Sequence, residues 1–310
     1  MGCGLAGASL AAAVAKAGAL GTIGIATPRQ LRMSIDKVRE QAPGRAVAVN
    51  LLMPFVRRQH VAVCVDARVD AVVLAFGEKR GLVEHFRDAG IFVFVMIGTQ
   101  AQAHVAVAWG ADGLIAQGRE AGGHLVGTMP ALDFLPYALA AAGGRPVFLA
   151  GGIATGADTH AALAGGASGV IAGTRFLLTH EANANREYQQ RIMHADTTIE
   201  TDLFGLSWPL RHRVVPNAAT RRWCGDDGKA RALPAALNAA SRPLAVLGYF
   251  DAGALMRLQS PARPFFTPLA PLAGMPDSWV DRAAPYAGET ALRISEITSA
   301  EQAVKDLLPR

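Results

Sequence analysis

The chain is poor in aromatic side chains, 6% of its 310 residues, and holds three cysteines, Cys3, Cys64 and Cys224. Three thiols spaced so widely build neither a disulfide framework nor a zinc knuckle, and a reduced cytoplasmic setting is the expectation. Lysine is scarce as well: five lysines stand in a set of 30 basic residues, against 25 acidic ones. The resulting +5 is scattered, with Arg57-Arg58 and Arg221-Arg222 as its densest pairs. No basic stripe interleaved with aromatics forms, so nucleic acid is not an expected partner. An apolar run of about 18 residues free of charge and glycine is also missing, so no membrane span is expected. Histidines, cysteines and carboxylates do not fall at ligand spacing, and neither H-E-x-x-H nor G-x-S-x-G occurs; a metal site and a serine hydrolase both lose their basis.

What the chain does have is apolar material, 51% of residues, and 33 glycines. That excludes a disordered chain and allows a large core. Between residue 9 and about 195, short β-rich runs alternate with helix-length segments. The runs are 22–26 (TIGIA), 46–50 (AVAVN), 70–76 (DAVVLAF), 91–97 (IFVFVMI), 112–117 (DGLIAQ), 146–150 (PVFLA) and 168–172 (SGVIA). Most are continuously apolar, as parallel strands buried on both faces are. Helical patterns fill 9–17, 31–41, 82–89, 100–109 and 158–164. Strict alternation implies a parallel α/β sheet, open or closed. Seven strands are found where a closed (β/α)8 TIM barrel needs eight, and a helix is the first element. The spacing suits a TIM barrel lacking its first strand.

The alternation stops near residue 196. Residues 1–196 are therefore expected to form the barrel and 197–285, rich in proline and arginine, an irregular excursion that lids its mouth. Residues 286–310 return to the barrel, ending in a short helix with Ser299 as N-cap. The apolar start, 1–24, has no basic residue before Lys16 and is read as structure rather than as a targeting segment. Its Gly2-Cys3-Gly4-Leu5-Ala6-Gly7 matches G-x-G-x-x-G, but no strand precedes it and the next strand ends in Ala26-Thr27 without an acid for a ribose. A dinucleotide fold is thus disfavoured.

In a parallel barrel, chemistry belongs at the C-terminal strand ends, and the last two loops often hold phosphate. Those junctions read Ala150-Gly151-Gly152-Ile153 and Ala172-Gly173-Thr174-Arg175. Glycines there let backbone N–H groups approach an oxyanion, with Thr155 or Thr174 as a hydroxyl donor. The plainer reading is that glycine only terminates strands; two such junctions in succession favour the site. Gln117-Gly118-Arg119-Glu120-Ala121-Gly122-Gly123-His124 follows another strand. Gly122 and Gly123 make a loop able to lie flat on a planar ligand, and His124 stands in it as a titratable base or donor. His60, His85 and His194 have no such setting and are expected to be solvated or structural. Asn50 ends a strand as well, suited either to a heterocycle edge or to a turn before Pro54.

At these residues the chain resembles the nitronate monooxygenase (2-nitropropane dioxygenase) family of FMN-dependent TIM barrels, related to FMN-containing enoyl reductases. The resemblance spans the barrel and rests on 10–24 (LAAAVAKAGALGTIG), 49–54 (VNLLMP), 117–124 (QGREAGGH), 150–155 (AGGIAT) and 173–177 (GTRFL). It implies that Asn50 and Gln117 contact the isoalloxazine or ribityl part of FMN, that Gly151, Gly152, Gly173 and Thr174 hold its phosphate, and that His124 is the catalytic base or substrate contact. Tyr286-Ala287-Gly288-Glu289 resembles a segment lying back over the flavin. Two departures stand out. The family opens on a strand ending in Ala-Pro-Met, whose methionine corresponds here to Met1, so the strand is missing and flavin binding is expected to be weak; a mis-assigned start is the preferred explanation. Leu125-Val126 also places one extra residue before Gly127.

The resemblance implies oxidation of alkyl nitronates, or of nitroalkanes after α-proton removal by His124, with O2 as partner. The alternatives are an NAD(P)H-dependent flavin quinone or enoyl reductase, and a non-catalytic barrel that has lost its cofactor.

Overall fold

The computed structural model describes residues 4–77, 80–243 and 256–309, so Met1, Gly2 and Cys3 lie outside the described residues. Seven strands form one sheet: β1 Gly21–Ile23, β2 Val47–Leu52, β3 Ala71–Ala75, β4 Phe92–Ile97, β5 Gly113–Gln117, β7 Val147–Ala150 and β8 Gly169–Ile171. All neighbours pair in parallel, β5 directly with β7, because β6 (Gly123–His124) leaves the sheet. Each expected strand is present, within a few residues of its expected bounds. Among the described residues β1 and β8 do not pair with each other, so this curled α/β sheet has an open seam. The 4–7 stretch runs past it: Gly24 N donates to Ala6 O at 2.9 Å, and Asn183 donates from its backbone to Leu5 O and from its side chain to Gly4 O.

Alternation along the strands sorts residues into two layers. One set (Val47, Val49, Leu51, Val72, Leu74, Val93, Val95, Leu114, Leu149) packs under the helices. The other (Ala48, Val73, Phe94, Ile115, Ala150) fills the inside, with Phe148 and Ile171 partly exposed. The helices are α1 Ala8–Lys16, α2 Pro28–Gln41, α3 Arg58–Asp66, α4 Arg80–Asp88, α5 Gln100–Ala108, α6 Ala131–Ala141, α7 Gly156–Ala164, α8 Thr174–Leu177 and α9 Arg186–Met193. Caps start several of them. Thr27 and Gln30 form a capping box ahead of Pro28, Thr155 and Asp158 do the same for α7, and Thr99 accepts from Gln102 N. Thr155 is thereby occupied as a cap. His60 caps α3, its Nδ1 accepting from Arg57 N at 3.0 Å.

The described residues of the 197–285 segment are built into the molecule partly by pairing. β9 (Ile199–Thr201) and β10 (His212–Val214) are antiparallel, and β10 pairs with β6 in the register His212 opposite His124. Helices α10 Ala218–Trp223 and α11 Ala232–Ala240 follow. The chain closes on α12, Ala300–Leu307, where Ser299 accepts from Gln302 N.

Candidate active site

The site grows from the end of β5. Gln117 is buried at its last position, and its amide braces the loop that follows: Nε2 donates to His124 O at 3.1 Å and Oε1 accepts from Val126 N at 2.8 Å. Glu120 Oε1 accepts from Ala131 N, fixing the loop to the start of α6. A Cβ on Gly122 would lie 2.4 Å from Gly288 N, and one on Gly288 would lie 2.7 Å from Glu120 O. Only glycines allow these two backbones to touch. Glu289 N donates to Glu120 O, and Gly288 N donates to Thr174 Oγ1 at 2.9 Å. The 286–289 segment therefore joins the His124 loop to the end of β8.

His124 is 8% exposed, and its ring stacks on Trp208 at 3.7 Å between centroids, 17° between planes. His212, Tyr286 and Phe76 surround it at 5.0, 5.5 and 6.0 Å. Its Nε2 is buried without a hydrogen-bond partner. Burial, and then the nearby His212, hold its pKa well below 6.5, so the imidazole is neutral. Burial likewise pushes His212 down to about 4. In that neutral ring Nδ1–H donates to Leu210 O at 2.8 Å, leaving Nε2 to accept from Phe204 N. Arg213, only 6% exposed at its side chain, donates to Arg119 O and pairs with Glu200 at 2.7 Å and Glu289 at 3.3 Å. It ties the excursion, the His124 loop and the C-terminal return together.

The glycine junctions close the other side. Gly151 and Gly152 take positive φ, 104° and 74°, and lie against Ala121 and Glu120 of the His124 loop. A Cβ on Gly173 would meet nothing within 4 Å. β8 is partly exposed at all three positions, in contrast to the fully buried β2, β3 and β5. The inner wall beside Gly173 is thus open. Asn50 stands apart on β2, 2% exposed, its Oδ1 without a partner.

Of the expected residues, Gln117, Gly122, Gly123, His124, Gly151, Gly152 and Thr174 form one connected group, bordered by Gly173. No described hydrogen bond links Asn50 to it. Sequence reasoning left out Phe76, Trp208, His212 and Arg213. His212 reaches His124 through β10 pairing and Trp208 through the turn ahead of that strand, and no local pattern encodes either contact. Phe76 ends a recognised strand but adopts φ 62°, a sign invisible in its residue type. Among the described residues no group of three or more His, Cys, Asp or Glu is arranged to hold a metal ion, and no helix is long and apolar enough to cross a membrane.

The sequence profile described as nitronate monooxygenase matches residues 38–310. The (3aS,4S,5R,7aS)-5-hydroxy-7a-methyl-1-oxo-octahydro-1H-indene-4-carboxyl-CoA dehydrogenase of Mycobacterium tuberculosis is 33% identical over 77% of this chain and 67% of that protein. A nitronate monooxygenase of Metarhizium robertsii is 32% identical over 69% of this chain and 71% of that protein. The crystal structure of nitroalkane oxidase from Streptomyces ansochromogenes superposes with a TM-score of 0.76 at 25% identity, covering 98% of this chain and 91% of that one.

Proposed function

Because the chain belongs to the nitronate monooxygenase family, a family of flavin-dependent oxidoreductases, we propose that it binds FMN and oxidises alkyl nitronates, and nitroalkanes less readily, with O2. The observation that carries this reading is the buried, unpartnered Nε2 of a neutral His124 beside the strand-end glycines. FMN would supply the electron-accepting ring. The residues present fit it. Gly173 has room for a phosphate, and Thr174 accepts from Gly288 N while keeping its own hydroxyl proton to donate. Asn50 Oδ1 is an acceptor awaiting a donor. Gly123 leaves open space without a side chain, whereas the face of Gly122 expected to lie on a planar ligand is covered by the backbone of 287–288. Gln117 acts by holding the loop.

His124 then receives a substrate oxygen at Nε2. A depressed pKa makes it a weak base, better at hydrogen-bonding a nitronate than at removing the α-proton of a nitroalkane. The His124→Asn variant, which keeps a hydrogen-bonding side chain and loses the base, is expected to lose nitroalkane turnover far more than nitronate turnover. Equal activity of variant and parent on both substrates would refute the role.

A second reading, exchange of electrons with NAD(P)H or a CoA thioester, is favoured by the similarity to a carboxyl-CoA dehydrogenase over 77% of the chain. Anaerobic mixing with NADH or NADPH separates the two. Rapid bleaching of flavin absorbance supports the second reading, and persistence of the colour supports the first.

A further inference from the structure

The indole of Trp208 has no part in the reading above. It comes from the 205–210 turn of the excursion and packs over the barrel mouth with Ile25, Leu52 and Ala75. Phe55 and Phe76 meet it edge-on at 5.2 and 5.1 Å. The turn is held in an uncommon shape: Ser207 takes φ 66°, its N donates to Ser241 Oγ at 2.7 Å, and Trp208 N donates to Gly205 O. Such backbone persists only where its surroundings over-determine it.

Trp208 is 7% exposed, and its Nε1–H has no acceptor. An indole nitrogen only donates, so a buried one without an acceptor is a standing cost, and a phenylalanine would keep much of the apolar contact without it. The ring stacked on it, His124, carries the second unpartnered nitrogen. In the Nε2–H tautomer both rings are neutral donors, their planes 17° apart and centroids 3.7 Å apart. We propose that Trp208 is a substrate-contacting residue, its Nε1–H and His124 Nε2 together receiving the two oxygens of a planar anionic group, nitronate or carboxylate. The inference rests on the proposed function only for the choice of nitronate.

The protein has four indoles, Trp109, Trp208, Trp223 and Trp279, so a nitrogen-15 correlation spectrum carries four indole N–H resonances. Trp208→Phe identifies the relevant one by its loss. Titration with ethyl nitronate, and separately with propionate, is expected to move the Trp208 proton downfield to saturation. Trp223, whose Nε1 already donates to Pro261 O at 2.9 Å, should stay in place. By calorimetry, Trp208→Phe should weaken ethyl nitronate binding about tenfold with an unchanged melting temperature. A response to propionate alone supports the paired donors and counts against nitronate as the group. A Trp208 resonance unmoved by either anion, or Trp208→Phe binding as tightly as the parent, overturns the proposal. Oxygen uptake with nitronate and no shift leaves the proposed function standing without it, whereas a shift without uptake does the reverse.

Discussion

Three described residues other than glycine hold φ in the left-handed region: Arg68 at 48°, Phe76 at 62° and Ser207 at 66°. Arg68 follows α3, where such a residue ends a helix. The other two aim Phe76 and Trp208 at His124. Arg68→Gly is therefore expected to stabilise the protein by about 0.5 to 1 kcal/mol and leave activity alone. Phe76→Gly relieves the same strain but removes a ring 5.1 Å from Trp208 and 6.0 Å from His124. It should gain no stability and lose about tenfold in kcat/KM, because reacting groups tolerate little misplacement. Thermal melts and steady-state kinetics on the two variants check the contrast. His124 was legible in the sequence because a histidine among strand-end glycines is an unusual combination. Phe76 was not, because φ depends on where the following chain must go.

At the level of elements, contact between the His124 loop and the C-terminal return is what assembles the site. Gly122 and Gly123 look equivalent in sequence but differ in surroundings. Gly122→Ala would drive a Cβ to 2.4 Å from Gly288 N, whereas Gly123, at φ 77°, has nothing within 4 Å of an added Cβ. Gly122→Ala should cost about 1 to 3 kcal/mol by overpacking and weaken flavin retention. Gly123→Ala should cost about 1 to 2 kcal/mol through its backbone alone, but its Cβ would enter the open space offered to the flavin, so retention should fall by direct contact. Denaturant titrations of the flavin-free protein and flavin fluorescence measure the two effects separately. The strands were readable because continuous apolar runs mark burial on both faces. Helices α3 and α6 were not, for separate reasons. In α3 the apolar Val61, Val63 and Val65 alternate like a strand, while its buried face is His60, Val61 and Cys64. In α6 Pro136 interrupts the interior, and the buried Phe134, Leu135 and Ala138 hold the helix together nonetheless.

Across the whole molecule, burial leaves three histidines, His60, His124 and His212, with pKa values below 6.5, His212 at about 4. The unfolded chain takes up protons on them as pH falls below about 6.5, and the folded chain does not until lower pH. Their contribution is complete above that pH and is lost as pH falls through the folded values. Stability should thus decline between about pH 6.5 and 4, by up to roughly 1.4 kcal/mol per pH unit for each histidine. Replacing His212 with glutamine should flatten the slope by one proton, measured by urea denaturation across that range. The parallel α/β plan of the molecule was legible from alternation and strand count. The strand pairing of β9 and β10 was not, since β10 reaches β6 across some ninety residues and long-range pairing leaves no local trace.

The proposed reaction needs FMN at this barrel mouth and His124 presented to a nitronate. The most direct measurement follows oxygen consumption by the protein reconstituted with FMN, on addition of propionate 3-nitronate. Uptake is expected to depend on nitronate and FMN and to fall when His124 is replaced. A protein that binds no FMN, or one that binds it and consumes no oxygen with nitronate while NADH or NADPH bleaches the flavin, would contradict it.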